Sequence, residues 1–530
     1  MKKRLIFILI ILLVLSTGFA CNKSEKKEQL EPMVDPISDN NRVFYQIFTG
    51  SFSDSNNDGI GDLRGIINRL DYLNDGNINS GKSLGIQGIW LTPIFKSPTY
   101  HKYDVEDYYT IDPEFGTMDD LKELIEECHK RNVKIIIDLV LNHTSTRNEW
   151  YRKFQRAHQN YEPNDKYYNY YSWCIRSEKP AGRNFSSIYG TSDELYEANF
   201  SGDMPELNFD NPEVRNECLN IAKYYLDLGI DGFRFDAAKY VYFTETEKNV
   251  EFWDWYMAEL RKIKSDVYCV GEVWSNDYET VQYNSSLNCF NFQMSGTTGY
   301  IYNAASIGDC NVFTKYVVNY IKQIKEKNSD ALFVPFISNH DMDRSSGYLT
   351  LASKRMFMAA NLYILCYGSP FIYYGEEIGM KGTRGGAQTD ANRRLAMLWG
   401  DGDTVDDPIG TTYEKSKQTN GTVKSQLEDE NSLLNYYAKL IAFRNKFEAI
   451  CRGDYEAITL PGDTGCFKIT YEGKTYFLLH NTQNSSATVS TLRLTDKELN
   501  LLGFIGQGEC TLVDNEITIA NQTSVLLEIK

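Results

Sequence analysis

Carboxylates close several of the chain's apolar, β-type runs, and their neighbours suit them to different tasks. "GFRFD" ends on Asp236. Alternate residues of a strand face opposite sides, so Arg234 and Asp236 share one face, and a guanidinium beside a carboxylate keeps it ionised. An ionised carboxylate suits a nucleophile. "VGEVW" sets Glu272 among valines and Trp274. A carboxyl group in apolar surroundings has a raised pKa and can donate a proton. "ISNHD" carries His340 and Asp341, and "IIIDLVLNH" carries Asp138, Asn142 and His143. Taken singly, a strand-end Asp is more often a helix cap or turn residue. Four such clusters in chain order point instead to one catalytic face.

The elements that must position these groups alternate in a regular way. Eight short runs rich in β-branched and aromatic residues stand at 42–48, 85–94, 134–140, 231–237, 266–274, 289–294, 331–338 and 370–377. Helix-like stretches such as "TMDDLKELIEECHKRN" and "NPEVRNECLNIAKYYLDLG" separate them. This pattern predicts an α/β protein built on a (β/α)8 TIM barrel, whose catalytic groups come from the C-terminal ends of strands. The barrel is expected over 41–142 and 205–447. The Tyr-, Asn- and Ser-rich stretch 143–204 reads as a small insert after the third strand. From 448 to 530 short alternating runs such as "CFKITYEGKTYFLLHN" predict a C-terminal antiparallel β-sandwich domain.

The N-terminal end reads as an address. Lys2, Lys3 and Arg4 precede an apolar segment, Leu5–Leu15, that is too short for a stable spanning helix. Small Ala20 then precedes Cys21 and a polar run, which resembles a bacterial lipoprotein signal over 1–20. Cys21 is the expected lipidation site, 21–40 a tether, and the cell surface the expected location, with the lipid anchor holding the protein to a membrane. The other ten cysteines follow no framework spacing, and several lie in apolar runs and read as buried thiols. A net charge of −17 argues against nucleic acid as a partner. A monomer is expected.

"DLVLNH", "GFRFDAAKY", "GEVW" and "FISNHD" resemble the four signature segments of the α-amylase superfamily, glycoside hydrolase family 13. "MPELN" (204–208), "GIWLTPIF" and "GSPFIYYGEEIGM" resemble further segments of that family. The resemblance implies Asp236 as nucleophile, Glu272 as general acid/base and Asp341 as third carboxylate. It implies His101, Tyr103, His143, Arg234 and His340 around the sugar being cleaved, with Lys239 holding glucose on the reducing-end side. Relatives that cut α-1,6 links tend to carry Val after the nucleophile, where this chain has Ala237. The expected activity is therefore endo-acting, retaining hydrolysis of α-1,4 glucan, with α-glucosidase or glucanotransferase as the alternative. "DSNNDGIGD" matches a structural calcium loop of related enzymes, with Asp54, Asn56, Asp58, the Ile60 carbonyl and Asp62 as oxygen ligands of Ca2+. Asn142 matches one ligand of a second calcium site common in the family, but position 240, where a His is usual, is Tyr240.

Overall fold

Parallel strands need partners on both faces, so they read as continuous apolar runs, and seven of the eight expected runs form such a ladder. The computed structural model describes residues 39–530 apart from 78, 79 and 353. The expected signal segment and Cys21 lie outside the described residues. In chain order the ladder strands are Phe44–Ile47 (first), Gly88–Leu91 (second), Lys134–Leu139 (third), Gly232–Phe235 (fourth), Tyr268–Gly271 (fifth), Asn288–Cys289 (sixth) and Phe371–Tyr373 (eighth). They lie side by side as sixth, fifth, fourth, third, second, first and eighth.

The seventh run, 331–338, is not a regular strand. Pro335 has no N–H to give a ladder, yet its carbonyl accepts from Phe371 N at 3.0 Å, while the Val334 carbonyl accepts from Asn291 N at 3.0 Å. These two bonds join the sixth and eighth strands and close the barrel. The sixth strand is also shorter than its apolar run suggests. The Asn291 side chain accepts from Met294 N at 3.1 Å and turns the chain into a short 3-10 helix, Phe292–Met294.

Local sequence explains the flanking helices. Pro212–Leu228 starts with Asn211 accepting from the Glu213 amide, has Pro at its first position and stops at Gly229, whose φ of 108° suits glycine. Met118–Lys130 opens on a reciprocal cap between Thr117 and Asp120. A second glycine serves the site directly. A Cβ on Gly232 would lie 1.6 Å from the Tyr268 carbonyl oxygen, so only glycine lets the fourth and fifth strands approach this closely.

Between the third and fourth strands stand the helix Glu149–Gln159 and a small antiparallel sheet of Trp173–Ile175, Glu194–Glu197 and Phe185–Ser187. A β-bridge from His143 to Glu206 ties this insert to the third-strand loop. The C-terminal part is two antiparallel sheets, one of five strands and one of three. Strand period 2 divides their side chains. Cys466, Phe477, Leu479, Val525 and Leu527 fill the space between the sheets. Their neighbours Phe467, Leu478 and Leu526 join the barrel core, at roughly 1.5–3 kcal/mol of stabilisation for each large apolar side chain. Of the ten described cysteines all are free and all but Cys174 are buried. Among the described residues no helix is long and apolar enough to cross a membrane.

Candidate active site

The strand ends converge on one guanidinium. Arg234 is 1% exposed. Its Nη1 donates to both oxygens of Asp138, at 2.9 and 3.0 Å, and to Asp236 Oδ1 at 2.7 Å. Its Nη2 lies 2.9 Å from Glu272 Oε2. Three carboxylates from the third, fourth and fifth strands thus share one cation, with Trp90 and Tyr103 stacked against it. Ala237 takes a left-handed backbone, φ 48°, directly after Asp236. That turn aims the Ala237 amide at Glu272 Oε2, 3.0 Å away. Two donors therefore hold Oε2, and Oε1 is the oxygen left to carry a proton.

A second group surrounds Asp341. Arg394 Nη2 donates to Asp341 Oδ1 at 2.8 Å and its Nε donates to the His340 carbonyl at 3.0 Å. Arg393 Nη1 donates to the Asp341 carbonyl at 2.6 Å. The His340 ring is fully buried, with Nδ1 2.7 Å from Gln46 Nε2 and Nε2 2.5 Å from the Tyr103 hydroxyl and 3.0 Å from Asp341 Oδ2. Tyr103 in turn donates to Asp138 at 3.0 Å.

Above these groups opens a cleft of about 970 Å³. Asp236, Glu272 and Asp341 line it, with His101, Tyr103 and His143 from the expected set. Phe200, Tyr240 and Trp274 add aromatic walls, and aromatic faces with a few convergent polar groups are what a small-molecule site needs. Arg234 and His340, expected around the sugar, lie beneath the floor, where the Arg234 Nη atoms are taken up by Asp138, Asp236 and Glu272 and the His340 ring by Gln46, Tyr103 and Asp341. Lys239 is not on the cleft wall either. Its ammonium donates to the Trp274 carbonyl at 2.8 Å and bridges the fourth- and fifth-strand ends.

Residues 46–453 match the α-amylase catalytic-domain family model. The chain belongs to the α-amylase family. It is 36% identical over 490 residues to "Alpha-amylase 3" of Dictyoglomus thermophilum, covering 91% of this chain and 90% of that protein. It is 31% identical to an oligo-1,6-glucosidase of Parageobacillus thermoglucosidasius, over 81% of this chain and 87% of that one. Among solved structures, Eubacterium rectale Amy13B superposes with a TM-score of 0.86 at 33% identity, covering 94% of this chain and 97% of that one. As an α-amylase-family glycoside hydrolase the chain acts on α-glucans.

The electrostatics of this family member separate its carboxylates. Burial pushes Glu272 up to about 7, with Arg234 pulling against it and Asp236 and Asp341 adding to it. Burial raises Asp138 as well, again opposed by Arg234. Asp341 goes the other way. Burial alone would raise it, but His340 and Arg394 hold it at about 2. Burial keeps His340 itself neutral down to about pH 3, so the permanently charged Arg394 is the partner that keeps Asp341 ionised over the working range. His101 is likewise held neutral by burial down to about pH 4.

A pH dependence follows. A general acid works while protonated, so kcat/KM on starch should fall as pH rises through about 7. The slope should approach tenfold per pH unit. Initial rates at low substrate between pH 5 and 9 measure it. A falling limb near the ordinary glutamate value of about 4.3 would refute the role of burial.

Several site residues were not found from the sequence. Arg393, Arg394 and Asp390 come from "DANRR", whose two adjacent arginines and acid were the available signal. Asp138 belongs to one of the four strand-end clusters, but its local sequence gives it no specific role.

The loop Asp54–Asp62 packs on itself. Asp54 Oδ1 accepts from the Asn56 and Asn57 amides, its Oδ2 from the Gly59 amide, and Asp58 Oδ1 from the Ile60 amide. Asp62 caps the helix Leu63–Asn68 through Gly65 N. Among the described residues no three Asp, Glu, His or Cys side chains converge closely enough to hold a metal.

Proposed function

We propose that this chain is a retaining α-amylase that cleaves internal α-1,4 bonds of starch and maltodextrins. One observation carries the reading. Asp236 and Glu272 are fixed on opposite nitrogens of a single buried guanidinium, with Glu272 oriented a second time by the Ala237 amide. Two carboxyl groups held this near each other suit direct attack on carbon, for which retaining enzymes keep them about 5–5.5 Å apart.

The steps follow from the roles. Glu272 Oε1 gives its proton to the glycosidic oxygen while Asp236 Oδ2 attacks the anomeric carbon, and the carbon–oxygen bond to the leaving chain breaks. The sugar is then an ester of Asp236. Water then attacks the anomeric carbon, Glu272, now ionised, takes its proton, and the bond from that carbon to Asp236 breaks with the α configuration restored. Asp341 and the cleft's neutral histidines accept and donate hydrogen bonds to the ring hydroxyls. The complete carboxylate set argues against a purely glycan-binding role.

Products from amylose, pullulan and isomaltose test the specificity. Mixed maltooligosaccharides should appear early from amylose and isomaltose should barely react. Glucose as the sole early product would mark an exo-acting α-glucosidase, and rapid chain disproportionation with little new reducing sugar a glucanotransferase.

We also propose that Asp54, Asn56, Asp58, the Ile60 carbonyl and Asp62 hold a structural calcium ion. The donor type fits, since all the oxygens are hard and among the described residues none of the three carboxylates forms an ion pair with Lys or Arg. The carboxylates accept from backbone amides here, however, and would have to turn toward one point to bind the ion. The ion would stiffen the loop after the first strand and take no part in bond cleavage. Calcium at about a hundred times its Kd would add roughly 2.7 kcal/mol. Chelator should therefore lower the wild-type melting temperature and leave Asp58→Ala nearly unaffected. Equal lowering in both would place the stabilising ion elsewhere.

A further inference from the structure

A groove of about 740 Å³ runs along the seam between the barrel and the C-terminal sheets. One wall is the helix Leu433–Lys446, which turns Tyr436, Lys439, Phe443 and Lys446 toward the groove at helical spacing. The other wall is Leu499–Ile505, the edge strand of the five-stranded sheet. That strand bulges between Leu501 and Gly503. A Cβ on Gly503 would lie 3.0 Å from the Phe443 ring, so the glycine lets the ring lie against the strand. Phe443 and Phe447 pack edge to face at 5.0 Å, and Phe504 is 38% exposed beside them.

Two further hollows have linings that neighbour one another through hydrogen bonds or along the chain. The catalytic cleft reaches Arg384 and Arg393 at its outer side. Asp343 accepts from both, at 3.0 Å from the Arg384 amide and 2.8 Å from Arg393 Nε. Asp343 also lines a second hollow of about 480 Å³ that extends to Leu351 and Ala352. The groove begins at Lys354. Lys354 opens the helix Arg355–Ile364, which precedes the eighth strand, and Ser432 opens the helix that follows it. In a β/α barrel helices begin on the side where strands end, so Lys354 and Ser432 stand on the catalytic side.

From this geometry we propose that the seam groove is a second α-glucan site, which receives a stretch of the same polymer whose bonds the cleft cuts. The inference rests on the chain's action on α-glucans. Rings of phenylalanine match the apolar faces of glucose units, and Asn431, Gln507 and Lys439 supply donors and acceptors for hydroxyls along the rim. The lysines are spread rather than focused. Lys354 and Lys446 lie over Phe357 and Phe447, and Lys439 donates to the Glu430 carbonyl. That distribution suits a long uncharged chain of hydroxyls better than a single anionic group. Anchoring the polymer at a second point raises its effective concentration at the first.

The test uses the groove variant Phe504→Ala/Lys439→Ala, both exposed positions away from the catalytic machinery. In the inactive Glu272→Gln background, calorimetry with maltoheptaose should count two equivalents, and one after the groove substitutions. Binding of the otherwise wild-type variant to granular starch should weaken at least about tenfold, while turnover of maltotriose and the melting temperature stay unchanged. A single equivalent before the groove is altered, or unchanged granule binding after it, overturns the proposal. Binding is read without turnover, so the groove is judged independently of the proposed cleavage specificity.

Discussion

Asp236→Asn is expected to reduce starch hydrolysis by roughly 10⁴-fold or more, as loss of a nucleophile does, and Glu272→Gln by roughly 10²–10⁴-fold. Both should fold. Arg234 donates to one oxygen of Asp236 and one of Glu272, and the Ala237 amide uses that same Glu272 oxygen. An amide carbonyl can take either place, with its nitrogen turned to the cleft. The two variants should differ on an activated aryl glycoside. A nitrophenol leaves without protonation, so Glu272→Gln should release a burst of nitrophenol and then stall at the Asp236 ester, for want of a base. Asp236→Asn should release none. A burst from Asp236→Asn instead would reverse the roles, and near-wild-type starch turnover in either variant would remove them.

Arg234→Met should be the most damaging single change to the fold. It leaves Asp138, Asp236 and Glu272 without their shared cation in a site where Asp138 and Arg234 are essentially unexposed. Breaking a buried ion pair from one side costs about 3–5 kcal/mol. Arg234→Lys should recover little, because a point ammonium cannot span carboxylates from three strands. The sign of the pH dependence is fixed. Arg234 opposes the rise that burial imposes on Asp138 and Glu272. Without it their folded-state pKa values stand further above the unfolded ones, so the variant gains stability as pH falls and they take protons. The stability gap to wild type should therefore be wider at pH 8 than at pH 5, and adding Asp138→Asn should narrow it. Chemical denaturation at the two pH values measures this. A gap independent of pH would mean that lost packing against Trp90 and Tyr103, rather than stranded charge, is what matters.

Much of this protein was legible in the chain. Period 2 in "GFRFD" places Arg234 and Asp236 on one face whatever the rest of the fold does, and apolar neighbours mark Glu272 as a different kind of carboxylate. The same local logic sets Asn211, Thr117 and Gly229 at helix ends. Apolar runs located seven ladder strands, but they overstated the sixth at 289–294 and missed the irregular seventh at 331–338, because Asn291 and Pro335 redirect backbone hydrogen bonds that periodicity cannot see.

What only the tertiary structure decided lies between residues far apart in sequence. Gln46 and His340 are 294 positions apart, Tyr103 and His340 are 237 apart, and Arg394 reaches Asp341 across 53. No local pattern encodes those pairs, since they form only when the closing barrel brings the strand ends to one rim. Closure also decided which expected residues meet the cleft. His101, Tyr103 and His143 do. Arg234, His340 and Lys239 instead hold neighbouring groups in place, because each found its partner within the protein. The seam groove has the same origin, for its two walls belong to a helix and a strand that become neighbours only when the C-terminal sheets dock on the barrel.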